Sequence, residues 1–137
     1  MSDEGIDYAL KYAPLVESLQ NKNVNWLLDQ DGPIIRHFLK LERDILRRYC
    51  RALERDFQHL RKEAQPAALH DVNLAGRLVS TEDALRVVIR SAARRRMQLL
   101  LWRMVRTRLP EPVGTDQLLL LLNRMQGLQT MLAESTL

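Results

Sequence analysis

A lone cysteine, Cys50, excludes an intramolecular disulfide and any zinc site built from several thiolates. That scarcity fits a reducing compartment, and a cytoplasmic location is expected. Only 5% of the 137 residues are aromatic and only five are glycine, which disfavours a fold made of strands and tight hairpins. Long apolar runs are also missing. The best stretches, Met97 to Val105 and Leu118 to Leu122, fall well short of the roughly 20 residues a membrane-spanning helix needs, so no membrane contact is expected. The opening residues, MSDEGID, are acidic and lead into no apolar segment, unlike a secretory signal.

What is abundant is Leu, Ile, Val, Ala and arginine. The hydrophobic fraction is 46%, enough for one buried core, and the length is that of a single domain spanning residues 1 to 137. Arginine outnumbers lysine 17 to 4, a bias toward the side chain that pairs carboxylates and phosphates through two parallel hydrogen bonds. The net charge of +4 conceals a segregation: residues 1 to 31 sum to −4, residues 32 to 109 to +10, and residues 110 to 137 to −2. Such a pattern serves an acidic partner, or lets the acidic ends cover the basic middle.

Periodicity supplies the architecture. Ile6, Leu10, Ala13, Val16 and Leu19 lie near helical spacing between Asp3 and Gln20, and Pro14 either kinks that helix or divides it into two short ones. Trp26, Leu27 and Leu28 are expected to pin a further short turn to the core. Asp31 can cap a new helix in which Pro33 occupies the first turn, where its missing amide costs nothing. That helix is expected over about 32–63, with Ile34, Phe38, Leu41, Ile45, Tyr49, Ala52, Leu53 and Leu60 on its apolar side. Across from them runs a basic ridge of Arg36, Lys40, Arg43, Arg47, Arg51, Arg55 and Lys62, interrupted by Asp44 and Glu54. Gln65 and Pro66 are expected to end it, with a short helix over Ala67 to Val79 weakened by Gly76. Ser80 or Thr81 then caps a second long helix, about 81–109, stopped by Pro110 and Pro112; its Met97 to Val105 part is apolar all round and reads as central. A last helix, about 115–135, carries Leu118, Leu121, Met125, Leu128 and Leu132 as a packing seam. The predicted fold is thus all-α, a helical bundle of five or six helices.

Three places invite a chemical reading. The words AALHDVNLA resemble the His-Asp segment of the HD-domain metal-dependent phosphohydrolases, and the resemblance implies His37, His70, Asp71 and either Asp83 or Asp116 as metal ligands. An unbroken helix from Pro33 to Glu63 would hold His37 roughly 39 Å from the helix end at 1.5 Å per residue, whereas His70 follows that end closely. Asp56 and His59 share a helical face, as in carboxylate-bridged di-iron bundles, but a second Glu-x-x-His motif and further glutamates are absent. The stretch Leu74 to Arg90 resembles a helix-turn-helix reader of DNA, with Leu74, Ala75, Leu78, Leu85 and Val88 buried. The resemblance implies Thr81, Glu82, Arg86 and Arg90 in the major groove, although its turn is one residue short and lacks the usual glycine.

No nucleophile elbow or glycine-rich phosphate loop is present, so no catalytic residue, metal or cofactor is assigned and the chain is expected not to be an enzyme. Cys50, set among core positions, reads as a small buried hydrophobe. The expected function is a protein-interaction or assembly module with an unknown protein partner. Leu119, Leu120 and Met131 fall off the last helix's seam and make a homo-oligomer the expectation. The competing reading is nucleic-acid binding through the helix-turn-helix or through an anion-binding set of Arg36, Lys40, Arg43, Arg47, Arg51, Arg55, Arg94, Arg95 and Arg96. The last three point 100° apart on a helix, so at least one of them needs an acid, for which the acidic termini are candidates.

Overall fold

A computed structural model of the chain describes residues 5–20, 32–105 and 115–135. Five helices form among them, with no strand: α1 Tyr8–Lys11, α2 Ala13–Gln20, α3 Gly32–Ala68, α4 Val72–Val105 and α5 Thr115–Ser135. The all-α bundle with two long helices and a C-terminal helix is what periodicity predicts. The expected elements at 21–31 and the stop at Pro110 lie outside the described residues.

The first segment divides as one of the two expected arrangements requires, with the break at Tyr12 and Pro14 in the first turn of α2. Asp7 caps α1 by accepting from the Leu10 amide at 3.3 Å, so this terminal carboxylate is engaged locally.

The largest departure from expectation is at 64–81. Pro66 does not end α3; the helix runs on to Ala68, only two residues beyond the proline, so little helix lies past the bond that its missing amide removes. The short helix expected over Ala67 to Val79 does not exist as a separate element. A tight turn follows, in which the His70 amide donates to Ala67 O at 3.1 Å and the Asp71 amide to Ala68 O at 3.5 Å. Asp71 then caps α4, its Oδ1 accepting from the amides of Asn73 at 3.0 Å and Leu74 at 3.2 Å. With the start signal at Asp71, Ser80 and Thr81 fall inside the helix. Thr81 is buried and its hydroxyl donates backward to Arg77 O at 2.7 Å, the usual resort of a threonine within a helix.

The short link makes α3 and α4 an antiparallel hairpin, about 55 Å long for the 37 residues of α3. α5 returns along α4, as shown by the Arg124 guanidinium donating to Ser80 O at 3.0 Å. α1 and α2 close the remaining side against α3 and α5. The core lies where these layers meet: Tyr12, Leu15, Leu46, Leu53, Phe57, Val88, Leu118, Leu121 and Met125 are fully buried. The expected α5 seam is buried throughout. No helix among the described residues is long and apolar enough to cross a membrane.

The buried face of α3 is rotated from the expected one. Leu53 and Leu60 are buried as expected, but Ile34 and Leu41 are 46% and 48% exposed. Phe38, Ile45, Tyr49 and Ala52 are half-buried. The core is entered instead by Ile35, Leu39, Leu46, Cys50, Leu53, Phe57, Leu60 and Ala64, a stripe turned by roughly 90° at 100° per residue. The apolar arc of α3 covers nearly half the helix, and α4 together with α5 selects which part of it is most deeply buried. That rotation brings the basic ridge to the edge of the α3/α4 contact.

Candidate functional site

Along this edge the hairpin leaves a groove. One depression, of about 420 Å³, is lined on the α3 side by Lys40, Arg43, Asp44 and Arg47 and on the α4 side by Ala93, Arg96, Met97 and Leu100. The next, of about 190 Å³, continues past Cys50, Arg51 and Glu54 of α3 and Ile89 and Ala92 of α4. The two share Arg47, Ala93 and Arg96, so they form one channel. Among the described residues five cations and two acids line it, a net positive set.

Local helix geometry explains the lining. Lys40, Arg43, Arg47 and Arg51 recur at steps of three and four, the spacing that keeps side chains on one flank of a helix. On α4, Ile89, Ala93, Arg96 and Leu100 recur in the same way. Ala92 and Ala93 are small, so the hairpin is shallowly notched rather than filled between them. Arg47 reaches Asp44 at 3.2 Å, and Arg43 Nε donates to Leu39 O at 3.4 Å. An exposed pair such as the first is worth about 0.2–1 kcal/mol, leaving both guanidiniums able to reorient toward a ligand. Cys50 lies at the floor, buried; desolvation pushes its thiol up to about 11, against the opposing influence of Arg96. It is a small hydrophobe in this wall, as its sequence context implies.

The anion-binding set is therefore scattered over several surfaces. Lys40, Arg43, Arg47, Arg51 and Arg96 converge on the groove. Arg55 stands with Arg48, His59 and Lys62 on the outer surface of α3, and Arg36 is exposed near its start. Arg94 is exposed on α4. Arg95 is only 4% exposed, so it is not a surface contact. Burial lowers its pKa, with Glu42 acting in the opposite sense, and its Nη1 donates to Gln98 Oε1 at 3.2 Å. One acid acting on it, Glu42, is thus in α3. Glu42 in turn accepts from the buried Ser18 hydroxyl at 2.6 Å.

Other sequence readings change in the same light. α4 runs without interruption through Leu78 and Val79, so the helix-turn-helix resemblance has no turn, and its first reading residue, Thr81, is buried. Met97, Leu100 and Leu101 are exposed, Met97 by 55%, which corrects the central placement expected for Met97 to Val105; the side chains of 102–105 lie outside those described. His37, His59 and His70 are all exposed, and among the described residues no three His, Cys, Asp or Glu side chains are grouped to hold a metal ion. Asp71, the aspartate of the HD-like segment, has its carboxylate engaged in capping α4. His59 pairs with Glu63 at 3.1 Å, while Asp56 accepts from Lys11 Nζ at 2.7 Å and from the Tyr12 hydroxyl at 2.5 Å.

The self-association residues do not form one patch. Leu119 and Leu120 are 45% and 44% exposed but point about 100° apart on α5, and Met131 packs against the core. Leu119 faces a cleft beside the N-terminal segment. There the Gln129 side chain clasps Ile6, its Oε1 accepting from the Ile6 amide at 3.0 Å and its Nε2 donating to Ile6 O at 2.9 Å. Gln126 accepts from the Tyr8 amide at 3.1 Å. Sequence reasoning singled out Asp56 but missed its partners Lys11 and Tyr12, and it missed these glutamines, since a polar residue on a helix carries no signal of the group it will meet.

Comparison with protein-family models, curated proteins and solved structures finds no match, so the functional reading rests on the groove itself.

Proposed function

We propose that the chain is a non-enzymatic interaction module that binds a partner protein in the α3/α4 groove. The observation that carries this reading is the pairing of a basic wall with an open aliphatic one, in which Met97 and Leu100 remain exposed beside Lys40, Arg43 and Arg47. Charged rims with apolar centres are how protein interfaces combine orientation with affinity. A nucleic acid could use the same cations, but its phosphates would gain nothing from the aliphatic wall. That wall favours a protein.

The test is capture from a nuclease-treated lysate by the parent chain and by a Lys40→Glu, Arg47→Glu variant. A protein retained by the parent and lost by the variant is the expected result. Captured material that disappears on nuclease treatment would transfer the reading to nucleic acid. The exposure of Leu119 and Leu120 supports a second contact, between copies of this chain. Its measure is the solution mass of the parent against that of a Leu119→Ser, Leu120→Ser variant: a mass that falls to the monomer is expected, and monomers in both would remove it.

A further inference from the structure

We infer that the occupant of the α3/α4 groove is a single amphipathic helix of the partner, acidic along one flank and aliphatic along the next, laid parallel to the hairpin axis. The inference rests on the interaction-module reading and specifies what that module recognises.

The two walls differ in chemistry. The α3 wall presents Lys40, Arg43, Arg47 and Arg51, and the α4 wall presents Ile89, Ala93, Met97 and Leu100. A ligand satisfying both at once must carry carboxylates on one side and aliphatic groups on the adjacent side, over the same length. From Lys40 to Arg51 that length is about 16 Å, or three helical turns. The cations recur every three or four residues, so carboxylates at the same spacing on a helix stay in step with them over the whole distance.

An extended peptide fits less well. Strand addition depends on a free sheet edge, and both walls are helices whose backbone groups are bonded internally. The small side chains of Ala92 and Ala93 lower the floor where a third helix would lie, and helices pack closest where facing residues are small, at axial distances of about 8–10 Å. Met97 suits such a contact because its unbranched thioether adapts to differing side chains. Asp44 and Glu54 interrupt the basic wall and disfavour a ligand that is acidic at every position. Arg96, common to both depressions, offers one cation from the opposite side and so fixes where the acidic flank must end.

A phage-displayed library of random peptides, each about four helical turns long, selected on the parent chain tests this directly. The expected enrichment is in sequences with Asp or Glu at three- and four-residue spacing beside a stripe of Leu, Ile, Met or Phe. Binding of an enriched peptide, followed by fluorescence anisotropy, should weaken at least about tenfold in Ala93→Trp, which fills the notch. The same loss is expected in Lys40→Glu, Arg47→Glu, where both side chains are exposed and the fold is not at stake. Basic or uncharged consensus sequences, or affinity that survives both variants, would overturn the inference. So would an RNA strand that displaces the enriched peptide while binding the parent more tightly. Groove-dependent capture of a protein from lysate without an acidic helical consensus would reject the amphipathic helix and leave the module reading standing. Loss of both would reject the two together.

Discussion

The two flanks of α3 handle charge in opposite ways. On the flank under α1 and α2, acids are answered by groups brought from elsewhere in the chain: Asp56 by Lys11 and Tyr12, and Glu42 by Ser18. On the groove flank, cations stand at the surface in sequence-local contacts, Arg47 with Asp44 and Arg43 with the Leu39 carbonyl. The first arrangement ties distant segments together and so stabilises the fold. The second draws on neighbours in the same helix, with one pair across to α4 nearer the hairpin turn, Arg61 with Glu82 at 3.3 Å, and leaves the cations of the groove available to a ligand.

The strongest way to break this contrast is to empty the covered side. Phe57 is fully buried, and Phe57→Ala should cost about 3–5 kcal/mol in urea unfolding, from lost burial and the cavity left behind. A loss near zero would mean that stability does not reside there.

Asp56→Ala comes next. It leaves the buried Tyr12 hydroxyl without this acceptor, and a cost of about 1–3 kcal/mol is expected. Adding Tyr12→Phe should recover part of it, and a double-mutant cycle reads the coupling. Coupling close to zero would reduce the Asp56 cluster to an ornament of the surface.

Alkali probes the same flank without mutation. Burial, then the carboxylates of Asp56 and Glu63, pushes Tyr8 up to about 12 from the ordinary 10.0. Burial, then the hydrogen bond to Asp56, raises Tyr12 further still. The folded state therefore holds phenolic protons that the unfolded state releases, and stability present below pH 10.0 should be lost as pH rises toward about 12. In a Tyr49→Phe background, which leaves Tyr8 and Tyr12 as the only phenols, helical signal and phenolate absorbance should change together over that range. Phenolate appearing at lower pH with the helices intact would show that these rings are open to water.

Smaller effects sharpen the picture away from that flank. Gly76 has open space where a Cβ would be, so Gly76→Ala should stabilise α4 by about 0.5–1 kcal/mol, seen as a higher melting midpoint. Least of all, Lys40→Glu with Arg47→Glu should shift unfolding free energy by no more than about 0.5 kcal/mol while abolishing partner capture. A large destabilisation would show that the groove cations hold the fold and erase the distinction between flanks.

Helix existence was legible because apolar side chains at steps of three and four have only one way to share a surface. The seam of α5 and the basic ridge of α3 were read residue by residue in this way. Boundaries were legible only where a single signal stood. Between 64 and 81, Gln65 and Pro66 read as a stop and Ser80 or Thr81 as a start, and neither is used, because the cap at Asp71 depends on the hairpin that it closes. The site was half legible: Lys40, Arg43, Arg47 and Arg51 follow from spacing on one helix, but Ala93, Arg96, Met97 and Leu100 belong to the groove only because α4 lies beside α3.

From the chain alone came the class of fold, its long helices, the segregation of charge and the absence of recognisable catalytic motifs, because all of these depend on residues near one another in sequence. Tertiary structure alone decided which part of the wide apolar arc of α3 sinks into the core, which of Arg94, Arg95 and Arg96 is buried, and that the basic ridge borders a channel. Those outcomes depend on which helix packs against which, and a side chain's spacing along its own helix cannot specify the neighbour that covers it.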